Sequence, residues 1–372
     1  MPPLAQPLRT RFPDGERGER GEQRGAGMAA TMASGTGTAA DLLRDRRVGF
    51  ACVVLGRPGL KAHDARRWQN NPHLRVSIGY LHDIFDYLDA ADIRMYRLSS
   101  GVAPYITHPD LPQFWGQIDE CRDELAALGA KARRYGLRLS SHPAQYTLLN
   151  ALDPGILDAS LRDFNYHVAL LDALGMPRDN KIITHVGGVY GDKIAARDRF
   201  IARYPDLPEA VRARLVLEND ENHYSVGDVL HISARTGIPV CWDWLHHDAN
   251  NPDGIPAVEA TRLVAATWPQ GQKQKIHYSS QRRETRQVAR KNRKTGERRL
   301  VEAPPALGQH ADDIDPQEFA AYLASVPDVP FDIMLEAKHK DLAVLKLRAD
   351  LAALPLPGTP RAVAAAGAGE LT

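Results

Sequence analysis

The hydrophobic positions of this chain fall into eight short runs separated by longer amphipathic stretches. The runs are 48–55 (VGFACVVL), 93–98, 137–142, 181–186, 214–219, 238–244, 273–278 and 331–336. Two of them, 48–55 and 238–244, are apolar at nearly every position, as expected of strands buried on both faces of a parallel sheet, and the others set two to four apolar residues among polar ones. Between them, apolar residues recur at helical spacing near 78–91, 114–135, 156–174, 192–203, 226–236, 256–267, 316–325 and 340–353. Strand and helix alternating eight times predict parallel βαβ units closed into a single (β/α)8 TIM barrel over residues 47–353. A doubly wound open sheet is the alternative, but no Gly-rich phosphate turn follows the first run.

The two ends of the chain lack this pattern. Residues 1–46 are rich in Pro, Gly, Ala and Arg, and residues 354–372 in Pro, Ala and Gly, so both are expected to be disordered. Met28 and Met32 lie in the first tract and are alternative starts to Met1. One internal segment also departs from the economy of short connections. Residues 281–305, just after the seventh run, hold nine Lys/Arg against three Glu. They are expected to be a phosphate-contacting loop, with Arg282, Arg283, Arg290 and Lys291 against a nucleic-acid backbone, or else a solvated surface loop.

Composition narrows the class. A 43% hydrophobic fraction supports a sizeable core, and a net charge of +1 makes any nucleic-acid footprint local rather than global. The three cysteines, Cys52, Cys121 and Cys241, form no CxxC pair, which favours a reducing compartment over a disulfide framework. No apolar run approaches the ~18 residues of a membrane span, and the N-terminus has no signal-like h-region. The expectation is a cytoplasmic monomer with no membrane partner.

The chemistry sits at the strand ends. Six of the eight runs finish in a metal-ligand side chain: His142, His185, Glu218, Asp243 with His246, His277, and Glu336. Barrels of this class build their active sites at the C-terminal ends of their strands. Mixed carboxylate and imidazole donors suit Mn²⁺ or Zn²⁺ better than a site made of oxygen alone. The set is too large for one tetrahedral ion and fits two or three divalent ions, with Glu218 and Glu336 as natural bridges. Asp243 and His246 are three residues apart and can reach one ion, while the adjacent His247 diverges to the surface or to a supporting position. Lys275, two residues before His277 and on the same strand face, is expected either to touch a substrate phosphate or to carry a charge-removing modification. Several ions in a barrel mouth suit phosphodiester hydrolysis, where charge neutralisation matters most. A metal-dependent sugar isomerase and a non-catalytic damage-binding protein with structural metals are the other readings.

Seven motifs in order, RLSSHPAQY (138–146), THVGGVYGDK (184–193), LENDE (217–221), WDWLHHD (242–248), KIHYSSQ (275–281), LGQHADDI (307–314) and MLEAKHK (334–340), resemble the UV damage endonucleases, relatives of the endonuclease IV type of abasic-site nuclease. The resemblance spans the whole expected barrel. It implies that the ligands are His142, His185, Glu218, Asp243, His246, His277, Glu336 and additionally His310, holding two or three ions, Mn²⁺ first and Zn²⁺ or Mg²⁺ as alternatives. It implies Glu218, Lys275 and Glu336 as catalytic groups. It further implies a damaged double-stranded DNA substrate, at the nucleoid when bound, incised immediately 5′ of cyclobutane dimers, (6-4) photoproducts and, in some members, abasic sites, to leave a 3′ hydroxyl. Gln145 and Tyr146 match residues that probe the opened duplex, which fits an amide and an aromatic replacing lost pairing and stacking. His108 matches a lesion-side histidine. Phe50 stands where relatives often carry Tyr, which keeps stacking and loses a hydroxyl. The 281–305 segment is longer than the link usual in the family.

Overall fold

The computed structural model of the chain describes residues 37–291 and 295–357. Ten strands are present among them: β1 Val48–Ala51, β2 Met95–Leu98, β3 Arg138–Ser141, β4 Ile182–His185, β5 Leu215–Glu218, β6 Val240–Asp243, β7 Gln274–Tyr278, β8 Arg286–Lys291, β9 Arg298–Ala303 and β10 Phe331–Leu335. Eight of them close into a parallel barrel in the order β1-β10-β7-β6-β5-β4-β3-β2, and β8 and β9 pair apart from it. All eight expected runs are barrel strands. No helix among the described residues is long and apolar enough to cross a membrane.

Alternation along each strand divides its side chains between two environments. Leu139, Leu217, Trp242, Ile276 and Leu335 join the large apolar core shared with the helices. The neighbouring positions face inward, where Ile183, Val216 and Cys241 pack with Trp268, and Ala51 and Met95 pack with Met334. Gly49 is needed for closure, because a Cβ there would lie 1.9 Å from the Met95 carbonyl oxygen. The barrel floor is ionic: Asp332, fully buried, pairs with Arg138 at 2.9 Å and Arg47 at 3.3 Å.

Helix ends follow local chemistry. Asp153 accepts hydrogen bonds from the Gly155 and Ile156 amides ahead of Pro154–Ala173, with Pro154 at the first helical position. Ser225 and Asp228 form a capping box at Val226–Thr236, which Gly237 ends at φ 74°. The expected helix 114–135 is two helices, Gln117–Glu120 and Arg122–Arg134, because Cys121 between them leaves the helical region at φ −114°.

Three expectations change. The disordered extension expected over 1–46 does not run to 46. Residues 1–36 lie outside the described residues, but Ala39–Leu43 is a 3-10 helix with Ala39 buried, and Thr38 bridges Pro355. The Ala39 amide donates to the Leu354 carbonyl at 2.9 Å, so the first and last described segments pin each other and the expected tail begins later than 354. Leu42, Leu43 and Leu354 are the apolar residues that make this packing worthwhile; residues 358–372 lie outside the described residues. The basic insert is likewise more than a loop: Arg286–Lys291 and Arg298–Ala303 within it pair as the antiparallel β8–β9 ribbon.

Candidate metal centre

Glu218, the last residue of β5 and 1% exposed, is the hub of the barrel mouth. Its Oε1 accepts a hydrogen bond from His277 Nδ1 at 2.6 Å. Its Oε2 lies 3.3 Å from His142 Nε2 and 3.5 Å from His185 Nε2. His246 Nδ1 is 3.7 Å from Glu218 and 3.8 Å from Asp243. Glu336, one residue beyond β10, approaches His277 Nδ1 at 3.4 Å and His310 Nε2 at 4.0 Å. The eight side chains expected as ligands therefore form one continuous cluster. Within it, His142, His185 and Glu218 make one group of donors close enough for a single ion, and Glu218, Asp243 and His277 make another.

The supporting bonds orient these donors. His310 Nδ1 is 2.6 Å from Ser279 Oγ, and His246 Nδ1 is 3.0 Å from the Asn219 carbonyl. Asp243 Oδ1 accepts the His246 amide at 2.8 Å, capping the short helix Trp244–Ala249. Its other oxygen, Oδ2, is buried with no hydrogen-bond partner, as is His185 Nδ1. Buried polar atoms are seldom left so. A divalent cation supplies what this donor set lacks, and two three-donor groups sharing one carboxylate suit more than one ion.

The charges confirm an electron-rich pocket. Burial pushes the Asp243 carboxyl up to about 7, with Glu218 and Glu336 adding to the rise against the pull of His246. Burial would lower His246, but Asp243, Glu218 and Glu336 outweigh it and lift the ring to about 9. Burial also takes His277 down to about 4, leaving a neutral imidazole that donates to Glu218 and accepts at Nε2 from Arg97. Glu218 is held well below the usual carboxylate range: burial opposes its charge, but the His277 and His185 rings and the His142 contact prevail.

Arg97 was not among the expected residues. It is the third of the four β2 residues, on the inner face, with Nη2 2.5 Å from Glu336 Oε1 and 2.7 Å from His277 Nε2. The available signal was an arginine set between Tyr96 and Leu98 in the run IRMYRL, since a buried guanidinium requires partners.

The remaining expected residues divide. Gln145 and Tyr146 stand on the loop directly after His142, and Tyr146 is 71% exposed, as a probe must be. His108 is exposed on the loop after β2, with its carbonyl accepting from Trp115 Nε1 at 2.8 Å. Arg282 is half-buried and Arg283, Arg290 and Lys291 are exposed. Phe50 is a correction: it is 0% exposed, packed edge-on against Tyr96 at 5.5 Å, and cannot stack on a base. Gly49 and Ala51 take the inward positions of β1, so alternation turns Phe50 toward the helices. Lys275 faces inward as expected but lies beneath the ligands, 1% exposed, with Nζ donating to Ser140 Oγ at 2.8 Å. Direct contact with a substrate phosphate is closed to it in this arrangement. His247 diverges from the cluster as expected, yet it is buried rather than on the surface, with Nε2 2.9 Å from the Ile255 carbonyl.

Known proteins resemble this chain over most of its length. Residues 73–356 match the family described as UV-endonuclease UvdE. The UV DNA damage endonuclease of Bacillus velezensis is 33% identical over 271 residues, 72% of this chain and 78% of its own length. That of Clostridium perfringens is 32% identical over 310 residues, covering 81% of this chain and 69% of its own. The crystal structure of SacUVDE matches with a TM-score of 0.70 at 31% identity, covering 82% of this chain and 98% of that one. With the family match spanning residues 73–356 and these relatives covering most of its length, the chain belongs to the UV-endonuclease UvdE family.

Proposed function

We propose that this protein is a metal-dependent DNA repair endonuclease that cuts the phosphodiester backbone immediately 5′ of UV photoproducts, cyclobutane dimers and (6-4) photoproducts, and abasic sites as well, leaving a 3′ hydroxyl. The observation that carries the reading is the buried Glu218 held among His142, His185 and His277, with a second carboxylate, Asp243, left half-paired beside it. Relatives named UV DNA damage endonucleases support the substrate class.

His142, His185, Glu218, Asp243, His246, His277, His310 and Glu336 hold two or three divalent ions, Mn²⁺ before Zn²⁺ or Mg²⁺. When bound, such ions neutralise phosphate charge, activate water and stabilise the leaving oxygen. Glu218 and Glu336 bring the negative charge that gathers the ions. Arg97 restrains Glu336 and His277, and Lys275 sets the charge of the cluster from below without touching substrate. Tyr146 and Gln145 enter the duplex where a lesion has already weakened stacking, so that damaged sites open at lower cost than intact ones. Arg282 and Arg283 meet phosphates at the rim. The work is done in the cytoplasm, on the nucleoid.

The test is incubation with Mn²⁺ and a duplex carrying one defined photodimer, beside the same duplex intact, with the ends mapped. A single incision 5′ of the dimer with a 3′ hydroxyl is expected. Equal inertness toward both duplexes, across Mn²⁺, Zn²⁺ and Mg²⁺, would overturn the reading.

A further inference from the structure

The β8–β9 ribbon is a feature the barrel does not need. Its strands pair antiparallel over six rungs, from Arg286 opposite Ala303 to Lys291 opposite Arg298. Opposed residues share a face. One face therefore carries Arg286, Val288 and Arg290 with Ala303, Val301 and Arg299. Toward the barrel this face is half-buried, and Arg286 is fixed there by Asp312 at 2.6 Å. Asp312 belongs to the loop that carries His310, and Gln281 at the ribbon's root bridges His310 itself. The ribbon is thus rooted in the rim of the candidate metal centre. Its other face is exposed along its whole length, with Leu300 71% exposed in the middle.

The outer two rungs are entirely cationic. Arg290 faces Arg299, Lys291 faces Arg298, and all four are exposed. Like charges directly opposed destabilise a two-stranded ribbon. Glu297 offsets one of the four, Arg299, at 3.1 Å; no carboxylate among the described residues is paired with Arg290, Lys291 or Arg298. Repulsion of this kind is relieved when a polyanion lies along the ribbon. The five residue steps from Arg286 to Lys291 span about 17 Å at ~3.4 Å each. That is about five base pairs of duplex at ~3.4 Å of rise, and a two-stranded ribbon has the width of the major groove.

We infer that the outer end of the ribbon is a second DNA-backbone site, at which Arg290, Lys291, Arg298 and Arg299 hold phosphates of the duplex flanking the one being cut. This rests on the nuclease reading above, since continuity with the mouth is what selects duplex DNA over any other polyanion. The ribbon then acts as an outrigger: it fixes the duplex axis away from the metals, while Arg282 and Arg283 act at the rim.

The test is the salt dependence of binding to an undamaged duplex by the metal-loaded full chain. Replacing Arg290, Lys291, Arg298 and Arg299 with Gln should flatten the slope of log affinity against log salt by about 3.6, at ~0.9 per phosphate contact. Replacing the last three with Gln and Arg290 alone with Lys should restore about one. A control removes equal charge from the opposite face, with Arg44, Arg134, Arg178 and Arg212, all exposed, changed to Gln; its slope should move by less than about one. Equal slopes for the two quadruple variants, or an unmoved slope in the ribbon variant, would overturn the inference. Wild-type incision of the photodimer duplex, run alongside, separates the two ideas. Incision with an unmoved slope sinks the ribbon site alone, and a flattened slope without incision sinks the nuclease reading and leaves the ribbon as a DNA-binding surface.

Discussion

The two ends of the barrel both bury charge, and they balance it differently. At the floor, Asp332 is surrounded by cations of the chain itself: Arg138 at 2.9 Å, Arg47 at 3.3 Å and Lys273 at 3.5 Å. At the mouth, Glu218, Asp243 and Glu336 meet Arg97 and a ring of imidazoles, and Asp243 keeps an oxygen with no partner. The floor is electrostatically complete, so its charges hold the fold together. The mouth leaves Asp243 short of positive charge, so that carboxylate is a cost to the fold and a resource for chemistry. The same eight strands thus end in a structural layer on one side and a reactive one on the other, as barrel enzymes generally divide their labour.

Removing one member from each end breaks or sharpens this contrast. The largest effect is expected from Asp332→Asn, which leaves the Arg138 guanidinium buried without its counter-charge. Loss of about 3–5 kcal/mol is expected, read from urea unfolding, with incision per folded molecule kept. Selective loss of incision instead would erase the distinction between floor and mouth. Glu218→Gln should do the reverse. Incision should fall by at least about a hundredfold, while the metal-free protein should lose less stability than Asp332→Asn does, because relief of the repulsion on Asp243 and Glu336 offsets part of the lost imidazole contacts. Saturating Mn²⁺, at a hundred times its dissociation constant, should stabilise the wild type by about 2.7 kcal/mol and the variant by much less. A variant as unstable as Asp332→Asn would show the mouth to be structural too.

The smallest effect tests the wall between the ends. His167, fully buried behind β3 and bonded to Ser141, is lowered by burial to about 4. Its folded value is depressed, so between about pH 6.5 and 4 the unfolded chain binds the extra proton and stability falls as pH falls. About 2 kcal/mol should be lost between pH 7 and pH 5. Chemical denaturation of His167→Gln across that range should show a flatter profile; an identical one would place the acid sensitivity at the mouth or the floor instead.

Much of this was legible in the chain. Strand ends could be read because a βα turn places the last strand residue at the mouth, whichever helix follows. That places His142, His185, Glu218, Asp243, His277 and Glu336 together on sequence grounds, and they do form one cluster. The phase within a strand was less accessible. In VGFACVVL both faces are apolar, so nothing in the run tells whether Gly49 or Phe50 points inward, and Phe50 was placed on the wrong side. Depth was also hidden: Lys275 shares a face with His277, but one layer lower a lysine is sealed rather than presented. Arg97 escapes a strand-end reading because it lies one residue inside β2 and is a cation that restrains ligands rather than a ligand itself. The ribbon's pairing was masked by its charge, which reads as a solvated loop until the alternating partners are seen.

Asp243 carries two obligations on one side chain. One oxygen begins the helix that bears His246, and the other points unpaired into the cluster. Asparagine would keep the cap and surrender the charge, while glutamate would keep the charge and overreach the cap. Substitution at this position is therefore constrained from two directions at once. Loading the pocket also becomes mechanically linked to the firmness of the turn beside it, so that a vacant centre would be a looser one, and the protein would assemble its own reaction surface as it acquires its ions.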